Sequence, residues 1–291
     1  MTTPKTASAR QAAPGGNLLL WVIGAVVAFL ILFWLITLAL QLPIWPDAIQ
    51  KNAALFVSGA KTTLYLTLVS GVLGLVLGVI LGLGKMANTS LFVNTRGSFA
   101  YWVGSLISAI CTFIVWVVRG TPLFVQLLFS YYALPELFPP FGKLLEWADT
   151  WPFLELGSAF VAAVFALALN VAAYNAEVVR GGVQGVPRGQ VEAARSLGLG
   201  SLPTMTTVVL PQALRLALPA LVNNIVALLK DSSLAATIAV TEILRIADQV
   251  RSSTFQPIPA LLVAAAVYLA LTTVLTFFTD QMERRLKIAS R

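Results

Sequence analysis

Glu192–Pro211, EAARSLGLGSLPTMTTVVLP, is a polar stretch in an otherwise membrane-like chain. Its grammar is Glu-Ala-Ala, three residues, Gly198, nine residues, the aliphatic Val208, one residue, then Leu210-Pro211. The segment from Pro187 to Leu197 reads as a short helix: Pro187 stands near its start, Glu192, Ala193, Ala194 and Arg195 favour helix, and Gly198 suits a left-handed terminator. Ser201 is expected to cap a second helix, with Pro203 in its first turn, where a missing amide donor costs little. Helix, glycine turn and helix make a compact knob, and Pro211 and Pro219 beyond it would bend the chain back among apolar residues.

The surroundings of this knob define its solvent. Of 291 residues, 58% are hydrophobic and 11% charged, against roughly 25% charged in a soluble domain. The net charge of +7 raises nucleic acid as a partner, but nineteen basic residues can equally flank membrane helices, and their placement has to decide. Histidine is absent and Cys111 is the single cysteine, so neither a disulfide framework nor a zinc or His-based site is expected, and no cofactor is implied.

Residues 1–17 are small and polar, carry Lys5 and Arg10, and read as a disordered cytoplasmic tail. The apolar run 18–42 is too long for a signal-peptide core and reads as a retained transmembrane helix. Further runs at 62–84, 121–138, 156–179, 217–240 and 258–279 approach the ~20 residues that a bilayer demands, giving an all-α polytopic protein of six spans. With the N-terminus inside, Lys5, Arg10, Lys85, Arg96, Arg119, Arg180, Arg188, Arg195, Arg215, Arg284, Arg285, Lys287 and Arg291 fall on the cytoplasmic side. Only Lys51, Lys61, Lys143, Arg245 and Arg251 fall outside, which satisfies the positive-inside rule and excludes nucleic acid as the explanation. Residues 101–118 are apolar too, but a further crossing there would flip every later loop. They are therefore expected to lie in the inner interface and turn into the third span at Arg119-Gly120-Thr121-Pro122. Both termini are then cytoplasmic, and 281–291 is a basic cytoplasmic tail.

Gly71, Gly74, Gly78 and Gly82 give the second span one small face for close helix approach. Segment 139–155, with Glu146, Trp147, Asp149, Trp151 and Glu155, suits an outer loop with interfacial aromatics and some helix.

The stretch at 192–211 resembles the EAA loop of the permease subunits of bacterial ABC importers. GAKTTL (59–64), RGTPL (119–123), YNAEVVRGG (174–182) and LLKDSSL (228–234) resemble, in order, signatures of the polar amino-acid branch of that family, and together cover 59–280. The resemblance implies a transmembrane domain at 59–280 of the type I importer fold, with five core helices and 18–42 as an N-terminal addition. It implies that the loop at 187–211, through Glu192, Ala193, Ala194, Gly198, Leu210 and Pro211, fits a cleft on an ATP-binding subunit dimer. It also implies a second permease subunit, identical or homologous, an extracytoplasmic amino-acid-binding protein, and a place in the bacterial inner membrane. A related polar solute or an opine-like amino-acid derivative is the alternative cargo.

Polar residues inside spans are costly and mark function. Lys230 and Asp231 lie about 16 Å beyond Pro219 along a helix. Asn224 shares a face with Asp231, and Asn223 with Lys230, because seven residues make nearly two turns. An ammonium and a carboxylate suit a zwitterionic amino acid; an ion pair with another helix is the equally weighted alternative. Asn170, Tyr174 and Glu177 form one polar stripe, a candidate pathway lining, with a local pair to Arg180 as the structural alternative for Glu177. Arg119 is expected to anchor its helix to lipid phosphate.

No GxxxxGK[ST] occurs, so the chain is not expected to be an enzyme, and its energy would come from a partner. An intramembrane protease would need a paired Asp or a Ser with a base, and only Asp231 lies in a span. A secondary transporter would keep the polar midplane but should show inverted repeats, which this sequence lacks.

Overall fold

The computed structural model describes residues 18–89, 99–150 and 157–289; the expected tail at 1–17, together with Arg96, Trp151 and Glu155, lies outside the described residues. Among them the chain is nearly all helical and has no strand. Five helices are long and apolar enough to cross a membrane: Ala53–Gly84 (α2), Phe99–Gly120 (α3), Gly157–Gln184 (α6), Ser201–Ile238 and Pro257–Gln281. The N-terminal helix Leu18–Leu40 (α1) adds a shorter apolar segment, Val27–Leu40, and packs Ile36 and Leu40 against Val263 and Val267 of the last helix, Pro257–Ala289 (α10). That last helix continues through the segment expected as a tail, up to Ala289.

The centre of the fold is the α2–α6 pair, and glycine sets its separation. A Cβ on Gly74 would lie 2.9 Å from Ala168 O, one on Gly78 3.1 Å from Ala172 O, and one on Gly82 2.8 Å from Ala176 O. The numbers rise together, so the two helices run parallel, with backbones touching along the small face that the spacing predicts. Gly71 is looser and meets Leu228 and Ile225 at 3.6 and 3.8 Å.

The expectation of an in-plane helix at 101–118 is corrected. Helix α3 stands against α2 and α6: Gly104 faces Ala87, Ser108 Oγ donates to Lys85 O at 2.8 Å, and Val118 clusters with Ala173 and Ala176. After a break at Thr121-Pro122 the same direction continues in Leu123–Leu128 (α4), a π turn Phe129–Ala133 and Leu134–Leu137, where Ser130 Oγ donates to Ala162 O at 3.1 Å. The third passage is thus one interrupted run from Phe99 to Leu137, antiparallel to α6, in place of a separate span at 121–138. Phe99–Gly120 is itself long and apolar enough to cross a membrane, so residues 101–118 belong to a passage and not to an in-plane helix.

The outer segment folds as helix Pro139–Asp149 (α5), whose Phe141 ring lies 5.0 Å from that of Phe165. The knob is as the sequence predicts in outline: helix Arg188–Ser196 (α7) behind Pro187, Gly198 at φ +83°, then a second helical start. Gly200, not Ser201, takes the capping position, and Ser201 is the first helical residue. A π turn, Thr204–Val209, then leads into Leu210–Asp231 (α8), which carries Pro211 in its first turn and Pro219 inside. After a 3₁₀ stretch, Ser232–Ile238, helix Ile243–Thr254 (α9) precedes α10.

Candidate functional site: a polar cavity at a broken helix

The break between α3 and α4 follows from Pro122, which has no N–H to give to Val118 O four residues back. Gln126 replaces it: its Nε2 lies 2.6 Å from Val118 O, 3.1 Å from Thr121 O and 2.9 Å from Thr121 Oγ1. Thr121 Oγ1 in turn donates to Val117 O at 3.0 Å. The freed carbonyls are satisfied, so an irregular turn can persist beside a cavity.

That cavity, of about 550 Å³, lies between the broken turn, α6 and α8, and is lined by Arg119 to Leu123, Asn170, Tyr174, Asn224, Leu228 and Asp231 among others. The Arg119 guanidinium sits 5.3 Å from the centre of the Tyr174 ring, a cation–π arrangement. Arg119 is thus among the residues at the cavity. Asn170 Nδ2 donates to Gln126 Oε1 at 3.0 Å. On the opposite wall Asn224 Nδ2 donates to Asn175 Oδ1 at 2.8 Å, and the buried Asn175 reaches Gly74 O at 3.4 Å.

The predicted faces of α8 separate cleanly. Asn224 and Asp231 line the cavity together, whereas Asn223 and Lys230 are exposed and not part of its lining. The stripe on α6 divides too: Asn170 and Tyr174 reach the cavity, and Glu177 sits one turn beyond it in a cluster of cations. Lys85 Nζ bonds its carboxylate, Arg180 Nε donates at 2.7 Å, and Arg119 approaches at 3.8 Å. Lys85 at the end of α2, Arg119 of α3 and Arg180 of α6 thereby share one carboxylate. Gln126 and Asn175 belong to this site and were not singled out in the sequence; the signal for Gln126 is its position four residues after a proline.

The other motifs resolve into packing. A Cβ on Gly59 would lie 3.2 Å from Glu242 O, and Thr63 Oγ1 accepts from Ile243 N at 3.3 Å, so GAKTTL seats α2 on the start of α9. Glu242 itself is wholly buried, accepts from Arg245 N at 2.7 Å and is bonded by Tyr268 Oη. Burial pushes its carboxyl up to about 7 against the pull of those donors.

On the knob, Ala194 is buried while Glu192, Ala193 and Gly198 are exposed. Leu210 packs against a small core of Met86, Val183, Met205 and Val209, and Pro211 is exposed. Leu197 is 83% and Leu202 63% exposed, so the turn presents aliphatic side chains outward.

Residues 74–288 match the family model described as "Binding-protein-dependent transport system inner membrane component". The chain is 33% identical over 229 residues to the arginine transport system permease protein ArtQ of Bacillus subtilis, covering 79% of this chain and 91% of that one. It is 36% identical over 230 residues to the octopine transport system permease protein OccM of Rhizobium radiobacter, covering 79% and 85%. Among solved structures it is similar to an amino acid ABC transporter crystallised with histidines, with a TM-score of 0.64, 34% identity, and 81% and 95% coverage.

Proposed function

We propose, from the premise that this chain belongs to the binding-protein-dependent transport system inner membrane components, that it forms the translocation pathway of an ATP-driven amino-acid importer. It is a multi-pass protein of the bacterial inner membrane and a permease component, not itself catalytic. The observation that carries the reading is that Arg119 and Asp231 face one cavity, a cation and an anion where a zwitterion needs an anion and a cation.

In this account the core domain spans 59–280, two permease subunits pair, and an extracytoplasmic binding protein delivers the solute. An ATPase dimer receives the knob at 187–211. Exposed Leu197 and Leu202 beside Glu192 support docking there, since outward aliphatic side chains on a polar loop suit a partner cleft. The positive-inside argument puts the knob and both termini in the cytoplasm.

The test is uptake by the reconstituted complex with Asp231→Asn and Lys230→Gln. The first raises the half-saturating solute concentration and the second leaves it unchanged; equal effects would remove Asp231 from the pathway. An opine-like amino-acid derivative is the second reading, favoured by the octopine relative and a cavity of about 550 Å³. Competition of octopine with arginine in the same assay decides it.

A further inference from the structure

We propose that Gln126 and Asn175 are positioning residues that turn the amide oxygens of Asn170 and Asn224 toward the cavity, fitting it to amino acids whose side chain carries cationic N–H donors. This rests on the importer reading above and goes beyond it by assigning the sign of the site.

Main-chain carbonyls only accept. Val118 O and Thr121 O both face the Gln126 amide, at 2.6 and 3.1 Å, so that end must be the NH₂. Oε1 then remains for Asn170, whose Nδ2 donates at 3.0 Å, leaving Asn170 Oδ1 for the cavity. The second chain has the same logic. Gly74 O, 3.4 Å from Asn175 Nδ2, forces Asn175 Oδ1 toward Asn224. Asn224 commits its Nδ2 there at 2.8 Å and keeps Oδ1 for the cavity.

Each chain begins at a helix carbonyl and ends in an acceptor. The first exists because Pro122 frees Val118 O; the second exists because Gly74 lets α6 come close enough for Asn175 to reach its carbonyl. With the Asp231 carboxylate, these amide oxygens make the cavity wall rich in acceptors. The Arg119 guanidinium suits the α-carboxylate, and the acceptors suit a guanidinium or ammonium.

The test compares L-arginine with L-citrulline, its uncharged near-isostere, by calorimetric binding to the permease–ATPase complex in nanodiscs without binding protein. Wild type should prefer arginine by about tenfold or more, because a wall built of acceptors discriminates by the donors it meets. Asn175→Leu and Gln126→Leu release the amides and should narrow the ratio to about threefold or less. Asn170→Leu, at a half-buried position, reports the same ratio should the core variants fail to fold. A ratio unchanged in Asn170→Leu, or unchanged in both Asn175→Leu and Gln126→Leu, overturns the positioning role. Preference for a neutral or acidic amino acid sinks the cationic assignment while the importer reading stands; binding of no amino acid removes both.

Discussion

Gln126 Nε2 lies 2.6 Å from Val118 O, the carbonyl that Pro122 leaves without its helical donor. The side chain thereby closes the hydrogen-bond deficit of a helix broken inside the fold. Leaving such a carbonyl unmet costs about 1–3 kcal/mol. Gln126→Leu should lower stability by that order, seen as a reduced thermal midpoint of the purified protein; an unchanged midpoint would mean that water serves Val118 O.

The glycine contact between α2 and α6 makes a graded prediction. Gly82→Ala puts a Cβ 2.8 Å from a backbone oxygen, whereas Gly71→Ala meets only side-chain carbons at 3.6 Å and beyond. The first should destabilise by about 1–3 kcal/mol through overpacking, and the second should be nearly neutral in the same thermal assay.

Glu177 gathers Lys85, Arg119 and Arg180. Glu177→Gln strands Lys85, whose side chain is 12% exposed, among other cations. A loss of about 1–3 kcal/mol is expected, below the range for a fully buried pair because Glu177 itself keeps some exposure. The double variant Lys85→Gln, Glu177→Gln should recover part of it; a double variant as unstable as the sum of its singles would rule out coupling.

Glu242 links stability to pH. Burial raises its carboxyl to about 7 from the usual 4.5, so the folded state holds the proton more tightly than the unfolded. The contribution is fully present below the unfolded value and is lost as pH rises through about 7, by about 3 kcal/mol over that window. Glu242→Gln should flatten the dependence of the thermal midpoint on pH between 4.5 and 7; an unaltered slope would place the titration elsewhere.

Much of this was legible in the sequence, for identifiable reasons. The knob stood out because helix starts and stops near Pro187 and Gly198 are local signals in an apolar chain, and the glycine face because its spacing is helical. The seven-residue interval correctly put Asn224 and Asp231 on one face. The broken passage was misread because Arg119-Gly120-Thr121-Pro122 punctuates an interfacial turn and an interrupted crossing alike. The partners of Glu177 and Asn224 were hidden for another reason: Lys85 is 92 residues from Glu177 and Asn175 is 49 from Asn224, distances that only packing brings together.

Gly198, at φ +83°, tests the knob. Gly198→Val forces a β-branched residue into that conformation and should leave ATP hydrolysis running while uptake falls, with membrane insertion unchanged. Gly189→Ala, with open space around it, is the control and should transport normally.

The central claim is that this chain moves an amino acid with energy from a partner's ATP. Its most direct test is accumulation of radiolabelled L-arginine in proteoliposomes holding the complete complex, with ATP and binding protein supplied or withheld. Accumulation against a gradient only when both are present is the predicted result; uptake that proceeds without ATP and follows an ion gradient would contradict it.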